Sequence, residues 1–211
     1  MRNFLALIGW NPGGEQELFP GEELVEAFSL ERIQKSGGAF NEEKLKWMNK
    51  GYLALLPQTE REQYFVDALP ATIRSLPQFS LERAAKLTDT ALERTHNQVE
   101  IREAAEAGEY DWAFAAPEVP KELLKWKNDD SFEQALPRLK NALKLLQNAD
   151  FGSPEGVKAA LWEYAEEVGK GELLWPLRVA LTGRERSPDP FVCSWVLGQE
   201  ETMTRVNGVI I

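Results

Sequence analysis

The chain has 211 residues, 43% of them hydrophobic, which is enough to bury a core in one large domain or two small ones. Its formal net charge of −10 argues against a partner held by a broad basic field, so any contact with nucleic acid must be local. The single cysteine, Cys193, excludes an intramolecular disulfide and favours an intracellular location. We expect a soluble protein, because no signal-peptide pattern precedes the body and no apolar run reaches about 18 residues.

The first 57 residues are predicted to form short helices joined by turns. Helical patterns cover residues 3–10 and 22–28, and a shorter one follows Ser29. A loop is predicted over Lys35–Gly38. Asn41 is a good N-cap for a further helix, which Gly51 is expected to end.

The middle of the chain is predicted to be helical and divided by prolines. Pro57 breaks the chain, and Thr59 is expected to cap a helix that extends to about residue 69. Ser80 is expected to cap a long helix over residues 81–99, which continues as helix to residue 107. The aromatic residues at 110–114 alternate over too few positions to predict a strand.

The last third carries the clearest helix signals. An amphipathic helix is predicted over residues 132–146, and Ser153 followed by Pro154 starts the next one. A short helix is expected over residues 200–205. The count of helices and the lack of a credible sheet predict an all-α protein built from consecutive small helical bundles.

The stretch 173–197 is predicted to be a helix, a rigid charged corner and a second helix. Trp175 and Pro176 are expected to open the first helix, and Gly183 to end it. Asp189 is then the N-cap of a helix that begins with Pro190 and ends at Gly198. A stiff loop on a helical scaffold is where binding residues tend to lie.

The catalytic chemistries that the residues could support are few. His96 is the only histidine, so a site that needs two imidazoles is excluded. Glu93 and His96 have the spacing of a di-iron ligand pair, but that site needs a second such pair and two further glutamates. Cys193 is expected to be a small apolar core residue rather than a nucleophile.

The remaining signals are cationic side chains near rigid loops. Arg178 lies in an otherwise apolar helix and must either pair with a carboxylate or reach a ligand. Arg184 and Arg186 are expected to be exposed in the loop, and Arg94 to lie on the polar side of its helix. The residues alone leave both the structural and the binding interpretation open.

The sequence resembles a known family. Phe4–Trp10, Glu26–Arg32 and Phe40–Tyr52 resemble the region that follows the catalytic domain in bacterial glutamyl-tRNA synthetases. Glu100–Arg102 together with Gly108–Trp112 is similar to the middle of that C-terminal region, and Leu174–Phe191 looks like its anticodon-binding end. These matches run in family order along the whole chain.

The resemblance implies a class I synthetase that joins glutamate to its tRNA with ATP and Mg²⁺. The family's His-x-Gly-His motif and its Lys-Leu-Ser-Lys-Arg-like loop are absent from this sequence. The resemblance therefore implies a C-terminal fragment, or one part of a split protein, that is inactive alone and holds no cofactor itself. Residues 1–57 would finish the region that contacts the tRNA stem, 58–125 would form a first anticodon-binding bundle, and 126–211 a second.

The resemblance also assigns roles by position. Arg94 matches the arginine that hydrogen-bonds the third anticodon base. The helix and loop that hold the first two bases match Arg178, Ser187, Pro188, Asp189 and Pro190. Contacts with the tRNA backbone are expected from Lys44, Lys46, Arg184 and Arg186.

The expected partner is tRNA(Glu), with no DNA and no membrane, and the expected state is a cytoplasmic monomer. Single-stranded loops are read through splayed bases and a few arginines, which an acidic protein with a local basic face can provide. The alternative is a helical protein–protein interaction module without RNA binding that uses its Trp and Leu faces.

Overall fold

The computed structural model describes residues 1–35 and 38–211, so Ser36 and Gly37 of the predicted loop lie outside the described residues. That described part contains thirteen α-helices, and its pairing outside helices is limited to one isolated bridge between Trp10 and Ile33. The predicted all-α class is confirmed. The helices α1 to α13 are Arg2–Gly9, Gly21–Ala27, Glu42–Leu55, Gln58–Ala68, Ala71–Arg74, Leu81–Arg94, Gln98–Glu106, Asp111–Phe114, Ala135–Leu146, Pro154–Val168, Lys170–Thr182, Pro190–Leu197 and Gln199–Ile210.

The N-terminal region has a small aromatic core of its own. Phe4 and Phe40 meet edge to face at 5.3 Å, and the buried Trp10 lies 5.9 Å from the ring of Phe19. Offset and edge-to-face ring pairs of this kind add to the stabilisation from burial alone. Tyr52 of α3 donates a hydrogen bond to the carbonyl of Phe19, which fastens that helix to the aromatic core.

The rest of the chain packs around one continuous hydrophobic cluster that extends from Leu53 to Val209. Helices α4, α6 and α7 pack together on one side, and α9 to α13 pack together on the other. The two groups meet where α12 contacts α6, and the 3₁₀ turn Lys121–Leu124 lies against α11. The proposed boundary at residues 125–126 therefore crosses a shared core.

Several helix ends follow the predicted capping residues. The side chains of Asn41, Ser80 and Ser153 each accept a hydrogen bond from a backbone N–H of the first turn that follows. Gly183 and Gly198 end their helices with φ of +67° and +78°, a region that glycine adopts without steric cost. These local predictions are confirmed.

Two predicted boundaries in the N-terminal half are wrong. Gly51 does not end α3, which continues to Leu55, and a side chain at position 51 would lie 2.5 Å from Cδ1 of Leu18. Glycine at position 51 therefore allows Leu18 to pack closely against α3 and does not end the helix. Thr59 is not a cap, because α4 begins directly after Pro57 and already contains Thr59.

The predicted start of α11 at Trp175 is also wrong. The helix begins at Lys170 and carries Pro176 in its interior, although proline removes one hydrogen bond from the helix. Pro176 is buried, and so are Leu173 and Leu177 on either side of it. Tertiary packing of this apolar face outweighs the local cost of the proline.

The helix predicted over residues 81–99 is two helices. It breaks at residues 95–97, here called the 95–97 joint, which separates α6 from α7. Asn97 accepts a hydrogen bond from the backbone N–H of Glu100 at 2.9 Å, and Glu100 accepts one from the N–H of His96 at 2.8 Å. This reciprocal arrangement satisfies helix-end donors and starts a new helix, and it places Arg94 at the end of α6.

The last helix, α13, is longer than predicted. The apolar residues Val206 and Val209 beyond the predicted end are buried, and their burial favours continuation of the helix to Ile210. Among the described residues, the helices are all too short or too polar to cross a lipid bilayer.

Candidate nucleic-acid interface

A cavity of about 690 Å³ lies between the end of α6, the start of the α7–α8 connection and the loop after α11. Arg94 reaches it from α6, Tyr110 from the α7–α8 connection and Ser187 from the loop. Residues that are distant in the sequence are thus brought to one site. Its other side chains of functional interest are Thr90, Glu103, Glu109, Arg184, Arg186 and Pro188.

The structure brings together five of the ten residues predicted to contact RNA. These five line the cavity, and they are Arg94, Arg184, Arg186, Ser187 and Pro188. The other five lie elsewhere. They are Lys44, Lys46, Arg178, Asp189 and Pro190.

The loop is held in shape by hydrogen bonds at its base. The N–H of Gly183 donates to the carbonyl of Val179 at 2.7 Å, which closes α11. The N–H of Arg184 then donates to Oγ1 of Thr182 at 3.3 Å, and Ser187 Oγ donates to the carbonyl of Pro188 at 2.9 Å. These bonds give the cavity wall a fixed backbone.

Asp189 and Pro190 anchor the far end of this loop. One carboxylate oxygen of Asp189 accepts hydrogen bonds from the N–H groups of Phe191 and Val192, at 2.9 and 3.0 Å. Pro190 occupies the first position of α12 and is buried. The predicted cap is confirmed, and in this structure both residues fix the loop rather than line the cavity.

Gly108 makes room for Arg184. It has φ of +78°, and a side chain there would lie 2.9 Å from a guanidinium nitrogen of Arg184 and 2.8 Å from a carboxylate oxygen of Asp111. Only glycine combines this backbone conformation with so close an approach. Gly108 therefore lets the loop arginine lie against the connection between α7 and α8.

Three arginines and three glutamates line the cavity, so its guanidinium groups are a local source of positive charge in a cavity that carries both signs. Across residues 1–35 and 38–211, no carboxylate oxygen lies within 4.0 Å of a guanidinium nitrogen of Arg94, Arg184 or Arg186. Burial raises the pKa of Tyr110 to about 12, so its phenol is neutral at physiological pH. Cations without internal partners and a neutral hydroxyl donor suit a ligand that carries carbonyl oxygens, ring nitrogens or phosphate.

Arg178 lies apart from the cavity, in contact with aromatic rings. Its guanidinium carbon is 5.0 Å from the centroid of Trp175, and Trp175 is 5.5 Å from Trp126. In the part of the chain that the structure describes, Arg178 forms no salt bridge, and its buried Nε has no hydrogen-bond partner. The sequence left open whether Arg178 pairs with a carboxylate, and no such ion pair forms among the described residues. Lys127 covers the ring of Trp126 at 5.3 Å, so cations and indoles share this surface.

The two lysines predicted to contact the RNA backbone are engaged by carboxylates. Lys44 pairs with Glu17 at 2.5 Å. Lys46 pairs with Glu42 at 3.4 Å and with Glu100 at 3.3 Å, and these two carboxylates raise the pKa of Lys46. Both lysines are thus occupied within the protein.

Comparison with known proteins places the chain in a family. The sequence model of the family described as "Anticodon binding domain" matches residues 54–210. The chain belongs to the anticodon binding domain family. The predicted resemblance to the C-terminal region of glutamyl-tRNA synthetases is confirmed as well.

Similar proteins give the anticodon binding domain its wider context. The chain is 32% identical over 212 residues to the glutamate–tRNA ligase of Flavobacterium johnsoniae, covering 99% of the chain and 40% of that protein. It is 33% identical over 220 residues to that of Desulforudis audaxviator, covering 99% and 42%. The crystal structure of a glutamate tRNA ligase from Elizabethkingia meningosepticum in complex with its amino acid superposes with a TM-score of 0.75 at 27% identity, covering 99% of the chain and 40% of that structure. The chain thus spans about two fifths of the length of these relatives.

Sequence reasoning missed part of the anticodon binding domain's candidate surface. Trp175 precedes Arg178 by one helical turn, so helical spacing could have paired them. Trp126 comes from a distant segment, and no pattern in the sequence predicts that it stacks near Trp175. Glu103 and Tyr110 reach the cavity only because the chain breaks at the 95–97 joint and turns again at Gly108.

Proposed function

We propose that this chain binds the anticodon loop of a glutamate tRNA as the C-terminal part of a glutamate–tRNA ligase. The observation that carries the proposal is the cavity in which Arg94 of α6 meets Ser187 and Pro188 of the loop after α11. A cavity lined by arginines and rigid backbone is suited to a base splayed out of a single-stranded loop. Membership of the anticodon binding domain family agrees with this use of the site.

Each part of the surface has a proposed role. Arg94 donates hydrogen bonds to the third anticodon base, because guanidinium groups pair with acceptor pairs on base edges. Arg184 and Arg186 neutralise phosphates beside that base. We assign the first two bases to Arg178, with the adjacent Trp175 as a stacking plane, and to the Ser187–Pro190 corner.

The catalytic step would belong to a part that this sequence does not contain. The relatives are more than twice as long, and that other part would bind glutamate, ATP and Mg²⁺. Exposed large apolar side chains among the described residues are concentrated near the N-terminus, nine of them in residues 1–55 against four in the remainder. Such a surface is suited to being covered by another protein part. We place residues 1–57 beside the tRNA stem, 58–125 and 126–211 around the anticodon, and the protein in the cytoplasm as a monomer.

The proposal is tested by tRNA binding. A filter-binding or gel-shift titration at low salt should show tighter binding to glutamate tRNA than to the same tRNA with a changed anticodon. Arg94→Ala should weaken binding by about 1–3 kcal/mol, and the loss should depend on the third base. Equal affinity of the unaltered protein for both RNAs would overturn the proposal and favour a protein–protein interaction module.

A further inference from the structure

Helix α3 lies across the 95–97 joint and holds it from outside. Lys46, Asn49 and Lys50 are spaced three and four residues apart, so they share one face of α3. All three side chains are half-buried against the ends of α6 and α7. The helix that is fastened to the N-terminal aromatic core thus also contacts the segment that carries Arg94.

The contacts fall on both sides of Arg94. Lys50 Nζ donates a hydrogen bond to the carbonyl of Glu93 at 2.5 Å, and Asn49 Nδ2 donates one to the carbonyl of His96. The carbonyl of Glu93 belongs to the last turn of α6, where backbone acceptors lack partners within the helix. A cation there also interacts favourably with the helix dipole. The backbone is therefore held at the residue before Arg94 and again two residues after it.

A third contact ties the same face of α3 to the start of α7. Lys46 Nζ lies 3.3 Å from Oε1 of Glu100. The other oxygen, Oε2, accepts from the backbone N–H of His96 at 2.8 Å and lies 2.9 Å from Nδ1 of the same residue. Glu100 therefore links α3, the 95–97 joint and α7 in one network. The backbone that carries Arg94 therefore cannot shift far without breaking one of these bonds.

We propose that Lys46, Asn49 and Lys50 are positioning residues that set the place of Arg94 and so govern selectivity for the third anticodon base. This inference rests on the proposed function. The three residues act through the 95–97 joint and not by touching the base. Anything that displaces α3 in the N-terminal region then changes base selection at the cavity, which couples the two regions of the chain.

The first test needs no RNA. Amide hydrogen exchange of the free protein should be faster at residues 95–98 in Asn49→Ala and in Lys50→Met than in the unaltered chain, with α9 to α13 unaffected. Lys50→Arg keeps a donor at this position and should restore protection. Unchanged exchange in both variants would show that α3 does not hold the joint, and the inference would be overturned.

The second test measures selectivity. Anticodon stem-loop RNAs of glutamate tRNA, with the natural and with a changed third base, are titrated against each variant. Asn49→Ala and Lys50→Met should reduce the affinity ratio of the two RNAs by about tenfold, while Lys50→Arg and the exposed control Lys140→Met keep it. An equal loss for both RNAs would mark a direct backbone contact and overturn the inference. If the unaltered protein binds both RNAs with equal affinity, the proposed function itself is overturned. The affinity ratio measured for the unaltered protein therefore distinguishes this outcome from failure of the positioning role.

Discussion

Arg205 gives the sharpest test of what holds α8 against α11 and α13. It is 6% exposed on α13, and its Nη1 donates to the carbonyls of Trp112 at 2.6 Å and Leu181 at 2.7 Å. Nη2 donates to the carbonyl of Ala115 at 3.1 Å, and Nε donates to the carboxylate of Glu201 at 2.7 Å. One guanidinium group thus satisfies acceptors from α8, α11 and α13.

We expect Arg205→Met to remove these bonds while keeping much of the packing volume. Breaking a buried ion pair by removing one partner costs about 3–5 kcal/mol, and each stranded carbonyl costs about 1–3 kcal/mol unless water reaches it. A loss of about 4 kcal/mol follows if solvent relieves part of the penalty. At this chain length such a loss lowers the unfolding midpoint by about 8–16 °C.

The measurement is urea unfolding followed by tryptophan fluorescence, together with a thermal scan. Arg102→Met is the matched control, because Arg102 is exposed on α7 and forms no ion pair within the described ranges. The control should change the free energy of unfolding by less than about 0.5 kcal/mol. A loss below about 1 kcal/mol for Arg205→Met would refute the reasoning, because it would mean that the acceptors find other partners at no cost.

The same ion pair predicts a dependence on pH. Burial alone raises the pKa of Glu201, but hydrogen bonds from Arg205 and Gln78 outweigh it, and the pKa lies below its ordinary value of 4.5. A carboxyl whose pKa is lowered by folding adds stability above its unfolded pKa and loses it as the pH falls through the folded pKa. The unaltered chain should therefore lose this contribution below about pH 4.5, and Arg205→Met should lack it.

Three further changes test the loop and its surroundings. Gly183→Ala should cost about 2 kcal/mol in thermal unfolding, since φ is +67° and the new carbon would lie 2.5 Å from the carbonyl oxygen of Glu118; a neutral effect would contradict this geometry. Asp189→Ala should cost about 1 kcal/mol and Asp189→Asn much less, because only the first loses the cap; equal losses would exclude capping as the cause. Burial raises the pKa of Cys193 to about 12, so its thiol should react with a thiol reagent at pH 8 at least about 100-fold more slowly in the folded than in the unfolded chain, and comparable rates would disprove its burial.

Local signals explain why much of the fold could be predicted from the sequence. Side-chain caps such as Ser80 and Asp189 act within three residues, so their effect can be read directly. The interior Pro176 and the continuation of α3 through Gly51 depend on contacts with distant residues, and local preference gives the wrong boundary at both. Arg205 is the last residue of the short helix predicted over residues 200–205, and only the assembled helices show that it is buried.

The candidate site, like the fold, could be predicted from the sequence only in part. Resemblance placed Arg94 and the loop residues in one binding surface, and the structure brings Arg94, Ser187 and Pro188 to one cavity. The separation of Arg178 from that cavity could not be predicted, because it depends on how α11 lies relative to the loop after it. The hydrogen bond from Lys50 to the end of α6 could not be predicted either, since residues 50 and 93 meet only in the folded chain.

The shared core from Leu53 to Val209 has a consequence for how the chain folds. Residues 58–125 and 126–211 contribute to the same apolar interior, because α12 packs against α6 and the 3₁₀ turn Lys121–Leu124 packs against α11. The first segment would emerge from the ribosome with the face of α6 that α12 covers still exposed to water. Full burial of that face must therefore wait for α12, so the last step in folding of the first segment follows synthesis of the second.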